Sequence, residues 1–259
     1  MNMNAVLRVD NRDAICVITM NRPHRMNAFD LDLSCALRDA VLAASTDAAI
    51  RAIVIAGEGG NFCTGADLRR DRAREQTENI DLLGVLHEVF LTLRHGNKPS
   101  VAAVQGYSVG AGLSLMLACD FAVADTTSRF SAPFTGVGLA PDLGISVTLP
   151  ERVGIGMARD MLLCGTMKTA AEALSGGLID VVCEPGQVMS AALEKASALV
   201  NRAPLAIAAA RKLLHESRDG AALFLSEELA IQRTLRHTQD AKEAAAAFSE
   251  KRKPVFIGL

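Results

Sequence analysis

The run SVAAVQGYSVGAG, from Ser100 to Gly112, starts apolar, stops at Gly106, and sets Gly110 and Gly112 at the head of a mostly apolar segment ending at Ala118. This pattern predicts a buried strand, a tight turn and a helix. Upstream, residues 52–55 predict another buried strand, which ends in the turn Gly57-Glu58-Gly59-Gly60. Residues 14–20 (AICVITM) predict a first strand. Asn21-Arg22-Pro23 breaks it, and Asp30 caps a helix whose apolar face carries Leu33, Leu37, Val41 and Leu42. Residues 121–124 and 129–131 read as further strands. The alternation gives an α/β class, with βαβ crossovers and helices packed on sheet faces. Beyond Pro150 the sheet signal fades: residues 156–163, 170–174, 189–201, 205–216, 221–236 and 240–251 all read as helices, forming a helical tail.

At 259 residues the chain has the size of one large domain, or of a domain with a small appendage. Lys+Arg (27) nearly balance Asp+Glu (29), so no basic field exists to hold nucleic acid or anionic lipid. Aromatic residues make up 4% and Trp is absent, which leaves little to stack on bases. A small molecule is the expected partner. The 6 cysteines are scattered without a C-x-x-C pair, which points to a reduced, cytoplasmic compartment. The opening MNMNAVLRVDNRDA has no basic-then-apolar leader and reads as a mature start. No stretch approaches the roughly 18 apolar residues of a membrane span, so no membrane partner is expected.

His24, His87, His95, His215 and His237 are dispersed without ligand spacing, so no metal is expected. No Gly-Lys-Ser/Thr run follows a glycine turn, and Leu115 stands where a dinucleotide fingerprint needs Gly or Ala. Gly106-Tyr107-Ser108-Val109-Gly110 does match the G-x-S-x-G nucleophile elbow, with Asp142 or Asp180 and then His215 or His237 following in triad order. The upstream oxyanion glycines of a hydrolase are missing, and a tight turn with Ser108 bonded to local backbone is the plainer alternative. Residues 61–68 (NFCTGADL) and residues 106–112 share another property: each loop ends a strand and opens a helix. Amides at such turns point outward unsatisfied, and small residues let a carbonyl approach, so the pair reads as an oxyanion hole. Either loop alone is an ordinary glycine turn.

The first of these loops resembles the F-x-x-G-A-D-[LI] segment of the enoyl-CoA hydratase/isomerase (crotonase) family, and residues 101–120 resemble its V-A-A-V-x-G-x-x-x-G-x-G…C-D segment. Asn21-Arg22-Pro23 with Met26-Asn27-Ala28 resembles the family's opening L-N-R-P-x-x-x-N-A, and residues 248–254 (FSEKRKP) resemble its closing F-x-E-K-R-x-P. The resemblance implies an α/β, crotonase-like ββα superhelix, or spiral, over residues 1–200 that holds an acyl-CoA site. Residues 201–259 would form a C-terminal helical trimerisation region, giving a homotrimer or homohexamer. Coenzyme A enters as part of the thioester substrate, and no separate cofactor is expected. By position, Ala66 and Ala111 align with the oxyanion-hole amides, flanked by Gly65, Asp67, Leu68 and Gly112. Arg25, Met26 and Ala28 align with contacts to coenzyme A, as do Phe248 and Lys251, often across a subunit interface; Lys251 reads equally as an exposed basic helix end.

The family's hydratases carry two glutamates, and at the matching positions this chain has Ser114 and Phe134. Adding water to a double bond needs a base and an acid, so their loss undermines ordinary hydration. A carboxylate stands slightly downstream, at Asp142 in Gly138-Leu139-Ala140-Pro141-Asp142-Leu143-Gly144, which resembles the G-L-x-P-D-x-G segment of ring-1,2-epoxyphenylacetyl-CoA isomerases and related double-bond isomerases. An Asp nearby also serves as the nucleophile in 4-chlorobenzoyl-CoA dehalogenase. The plain alternative is that Asp142 caps the following helix. The expectation is a lone shuttle: Asp142 removes a proton from C4 of a 3-enoyl-CoA and returns it at C2 while Ala66 and Ala111 hold the dienolate oxygen, with Phe134 and Leu139 drying the carboxylate. Hydration by unusual groups, an aspartate-nucleophile reaction, serine hydrolysis at Ser108 and a silent acyl-CoA-binding assembly stand as alternatives. Residues 69–93 are expected to shape part of the acyl pocket.

Overall fold

The structure, a computed structural model, describes residues 5–69, 81–216 and 221–255. The chain opens with β1 (Leu7–Arg12) and β2 (Ile15–Met20), an antiparallel hairpin that turns at Asp13. Helix α1 (Leu31–Thr46) follows, and its cap is the expected one: the Asp30 carboxylate accepts from the Leu33 amide at 2.9 Å. Next come β3 (Ala52–Gly57), α2 (Leu82–His95), β4 (Ser100–Val104), β5 (Tyr107–Val109) and α3 (Ala111–Ala118). Then β6 (Phe121–Asp125) and β7 (Arg129–Ser131) lead into α4 (Ile145–Cys164).

The strands β2, β3, β4 and β6 pair in parallel as the middle of a six-stranded sheet, and both of its faces are covered. Ile18, Ile53 and Ile55 point toward α1 and α2, whose Leu33, Leu37, Val89 and Leu93 complete one core. Val17, Val54, Val101 and Val123 point the other way. Burial on both faces explains why these strands read as unbroken apolar runs.

Sequence periodicity falls short after Pro150, where the sheet continues. β8 (Lys168–Thr169) joins β5 and β7 in a second sheet of order β5-β7-β8, and α5 (Ala170–Ser175) follows it. β9 (Val181–Cys183) adds a parallel strand beside β6. Strands of two and three residues are too short to show a period of two. Pro150 itself lies inside α4, whose actual break is at Gly154, with φ 71° and ψ 165°. Helix α6 (Val188–Val200), expected in the helical tail, instead covers the second sheet face with Val188, Ala192 and Ala196.

The tail proper is α7 (Pro204–Glu216), α8 (Ala221–Leu235) and α9 (Gln239–Glu250). Buried Arg211 locks α7 to the sheet, reaching Asp120 at 2.8 Å, while Asp120 also accepts from the Ser100 amide at 2.7 Å. Leu205, Leu213 and Leu214 remain exposed on α7. No described helix is long and apolar enough to cross a membrane.

Candidate active site

Residues 61–68 and 106–112 meet as the sequence predicts, through their backbones. Cys63 and Ser108 form a parallel bridge: the Cys63 amide donates to the Tyr107 carbonyl and the Val109 amide to the Cys63 carbonyl, each at 3.0 Å. This contact demands glycine at 112, where a Cβ would lie 2.2 Å from the Cys63 carbonyl oxygen. It also brings the Gly65 turn (φ 87°) against the start of α3, so that a Cβ on Gly65 would sit 3.2 Å from the Ala111 nitrogen. Ala111 is the first residue of α3, where an N–H has no intrahelical partner. Among the described residues, neither the Ala66 nor the Ala111 amide donates a hydrogen bond within the chain. Two free donors on touching loops are the geometry an oxyanion needs.

Arg22 fastens the first loop. Its buried guanidinium pairs with Asp30 at 2.7 Å and Asp67 at 3.2 Å, and it also donates to the Ala28 carbonyl. Asn27 is fully buried. Its amide oxygen accepts from the Arg22 N–H at 2.9 Å, while Nδ2 donates to the Glu58 and Asn61 carbonyls at 3.0 and 2.8 Å. Residues 21–28 and 61–68 therefore belong together, and Asp67 is a structural ion-pair partner. Met26, in the left-handed region at φ 51°, and Arg25 remain on the outer side of this loop, with Ala28 buried beneath.

Beyond the two amides lies a pocket walled by Leu68, Leu82, Leu86, Val137 and Leu139, with Asp142, Gln232 and Arg236 also on its lining. Of the region 69–93, residues 70–80 lie outside the described residues. A separate groove lined by Arg8, Val17, Thr19, Gln105 and Met189 opens elsewhere and shares no residue with this pocket. Asp142 is the one carboxylate among the described pocket residues, and only 6% of it is exposed. The cap position of α4 belongs to Gly144, two residues past the aspartate.

Asp142 is held from two helices. The Ser114 hydroxyl, on α3, donates to its main-chain carbonyl at 3.1 Å, and Gln232 Nε2, on α8, donates to its carboxylate at 3.0 Å. Gln232 was not foreseen: it falls in no motif, and a lone Gln in an amphipathic helix carries no sequence signal. Phe134 lies in the hydrophobic core, its carbonyl taking the Val137 and Leu139 amides, and among the described residues Leu139 lines the pocket with Asp142.

Among the described residues the serine-hydrolase alternative finds no triad. Ser108 is fully buried and its hydroxyl donates to the Gly112 carbonyl at 3.4 Å, while His215 faces Asp120 at 3.7 Å and Asp180 pairs with Arg152 at 3.0 Å. Cys63, closest in sequence to the loop junction, has its thiol pushed up to about 12 by burial and is no thiolate at neutral pH. Phe248 lies 6.0 Å from the Arg69 guanidinium, which brings the end of α9 beside the first loop of the same chain. Lys251 is exposed and closes α9 in a left-handed conformation.

A family model described as enoyl-CoA hydratase/isomerase matches residues 10–258. The chain is 35% identical over 253 residues to a 2,3-dehydroadipyl-CoA hydratase of Escherichia coli, covering 97% of this chain and 98% of that one. A crotonyl-CoA hydratase of Syntrophomonas wolfei is 31% identical over 96% of both chains. Among solved structures, an enoyl-CoA hydratase from Mycobacterium avium subsp. paratuberculosis superposes with a TM-score of 0.89 at 28% identity, covering 98% of this chain and 99% of that one.

Proposed function

The chain belongs to the enoyl-CoA hydratase/isomerase family and has its fold, and from that premise we propose that it moves a double bond, converting 3-enoyl-CoA into 2-enoyl-CoA. The observation that carries this reading is one buried carboxylate in a pocket that Ala66 and Ala111, with their free amides, also line.

Isomerisation needs one proton-transfer group, whereas hydration needs a base for water and an acid for carbon. Asp142 takes the C2 proton, the acidic one beside the thioester, which reverses the order expected from sequence, because a 3-enoyl-CoA must lose hydrogen at C2 and gain it at C4 to become the 2-enoyl product. The C2–H electron pair becomes the C1–C2 double bond of a dienolate, and the negative charge settles on the thioester oxygen between the two amides. Asp142 then returns the proton to C4, the C3–C4 pair bonds to it, and the product double bond lies between C2 and C3. A carboxylate in water is far too weak a base for this carbon acid, so most of the rate comes from the hole, each donor contributing about 3 kcal/mol. The apolar walls keep water from competing for the intermediate.

Coenzyme A in this reading approaches along Arg25 and Met26, and the acyl chain passes between the loops toward Leu82 and Leu86. The exposed leucines of α7 favour assembly into a trimer or a dimer of trimers, and the compartment is cytoplasmic.

The names of the relatives favour a second reading, hydration of 2-enoyl-CoA. Purified protein given 3-enoyl-CoA and 2-enoyl-CoA in parallel separates the two. Bond migration without water addition supports the isomerase; 3-hydroxyacyl-CoA formed as the main product from 2-enoyl-CoA supports the hydratase.

A further inference from the structure

We propose that Gln232 is a positioning residue for the reaction, one that aims the Asp142 carboxylate and makes the C-terminal helices part of the active site. The inference rests on Asp142 being the proton shuttle.

The amide of Gln232 has only one orientation that satisfies its neighbours. Its Oε1 accepts from the Ala140 N–H at 3.1 Å, a donor that cannot be anything else. The NH2 end is thereby turned to Asp142, whose Oδ2 it reaches at 3.0 Å. Gln232 is 2% exposed, so water does not compete for either bond. Both contacts fall on residues 140–142, two positions apart, and Ser114 fixes the same stretch through the Asp142 carbonyl. Main chain and carboxylate are thus held by different helices, α3 and α8.

The next residue on α8 adds a second tie. Arg233 pairs with Asp81, whose carboxylate also accepts from the Leu83 amide at 3.2 Å and so caps α2. Leu82 and Leu86 of α2 wall the pocket. Consecutive residues of α8 therefore reach the shuttle and the cap of the helix that supplies Leu82 and Leu86 to the pocket. A shuttle serving two carbons must keep its carboxylate in one place through both transfers.

The test uses the full chain with Gln232→Glu, Gln232→Met and Asp142→Asn, read by steady-state isomerisation and thermal melting. Glutamate keeps an oxygen for Ala140 but presents a like charge to Asp142, whereas methionine removes both contacts. The expected result is a loss of about tenfold or more in kcat per folded molecule for Gln232→Glu, with KM within about threefold, while the added buried charge lowers the melting point as well. A structural role alone would lower the melting point and leave kcat per folded molecule unchanged. Wild-type kcat in Gln232→Glu, with Asp142→Asn inactive, overturns the role of Gln232 and leaves the isomerase reading standing. Full turnover by Asp142→Asn overturns that reading and Gln232's role with it. If Gln232→Met fails to fold, Gln232→Glu alone decides.

Discussion

Ser114 donates its hydroxyl hydrogen to the main-chain carbonyl of Asp142 across 3.1 Å, so the position where family hydratases carry a glutamate here braces the loop of the remaining carboxylate. The serine is fully buried and touches the aspartate's backbone, not its acid. Ser114→Ala should therefore cost about 1 kcal/mol of stability and lower kcat by less than about tenfold. Chemical denaturation and steady-state rates check both figures. Loss of all turnover would make Ser114 a reacting group, which the proposed reaction has no place for.

Gly65 is where the hole can be closed with one methyl group. A Cβ there would stand 3.2 Å from the Ala111 nitrogen, on a backbone at φ 87° that L-residues avoid. Gly65→Ala should cost about 1–2 kcal/mol in strain and, by obstructing one donor, about 100-fold in kcat. Unchanged turnover in a folded variant would show that the thioester oxygen binds elsewhere.

Arg22 holds two carboxylates at once, with its side chain 10% exposed and that of Asp67 9% exposed. Arg22→Met leaves both acids without their cation and should destabilise the fold by about 3–5 kcal/mol, measured by urea unfolding. A change below about 1 kcal/mol would mean that the loop at 61–68 does not depend on this pair.

Asp120 supplies a pH dependence of stability. Burial alone would raise its carboxyl, but the contacts from His215, Arg211 and the Ser100 amide outweigh burial and hold it below the ordinary carboxylate value. A depressed folded value means that the stabilisation is present above the unfolded value, about 3.9, and is lost as pH falls through the folded one. Asp120→Asn should melt lower than the parent near neutral pH and converge with it in acid. Parallel melting curves across the acid range would contradict this account.

The sequence motifs located the two loops and the capped first helix because each depends on residues with one structural use: glycine where a Cβ would strike backbone, aspartate at a helix start. Arg22 and Asp67 were visible as motif members, but their pairing was not, since they lie 45 positions apart and meet only through the fold. β8 and β9 escaped because two or three residues carry no period. Gln232 escaped because α8 returns over the pocket by tertiary packing, and nothing local to α8 announces what lies opposite.

The central claim is that Asp142 carries a single proton from one carbon to the other. The direct measurement is conversion of 3-enoyl-CoA deuterated at C2, with the product analysed for label at C4. The account predicts that wild-type enzyme delivers part of the deuterium to C4 and that Asp142→Asn forms no product. Undiminished conversion by Asp142→Asn would contradict it.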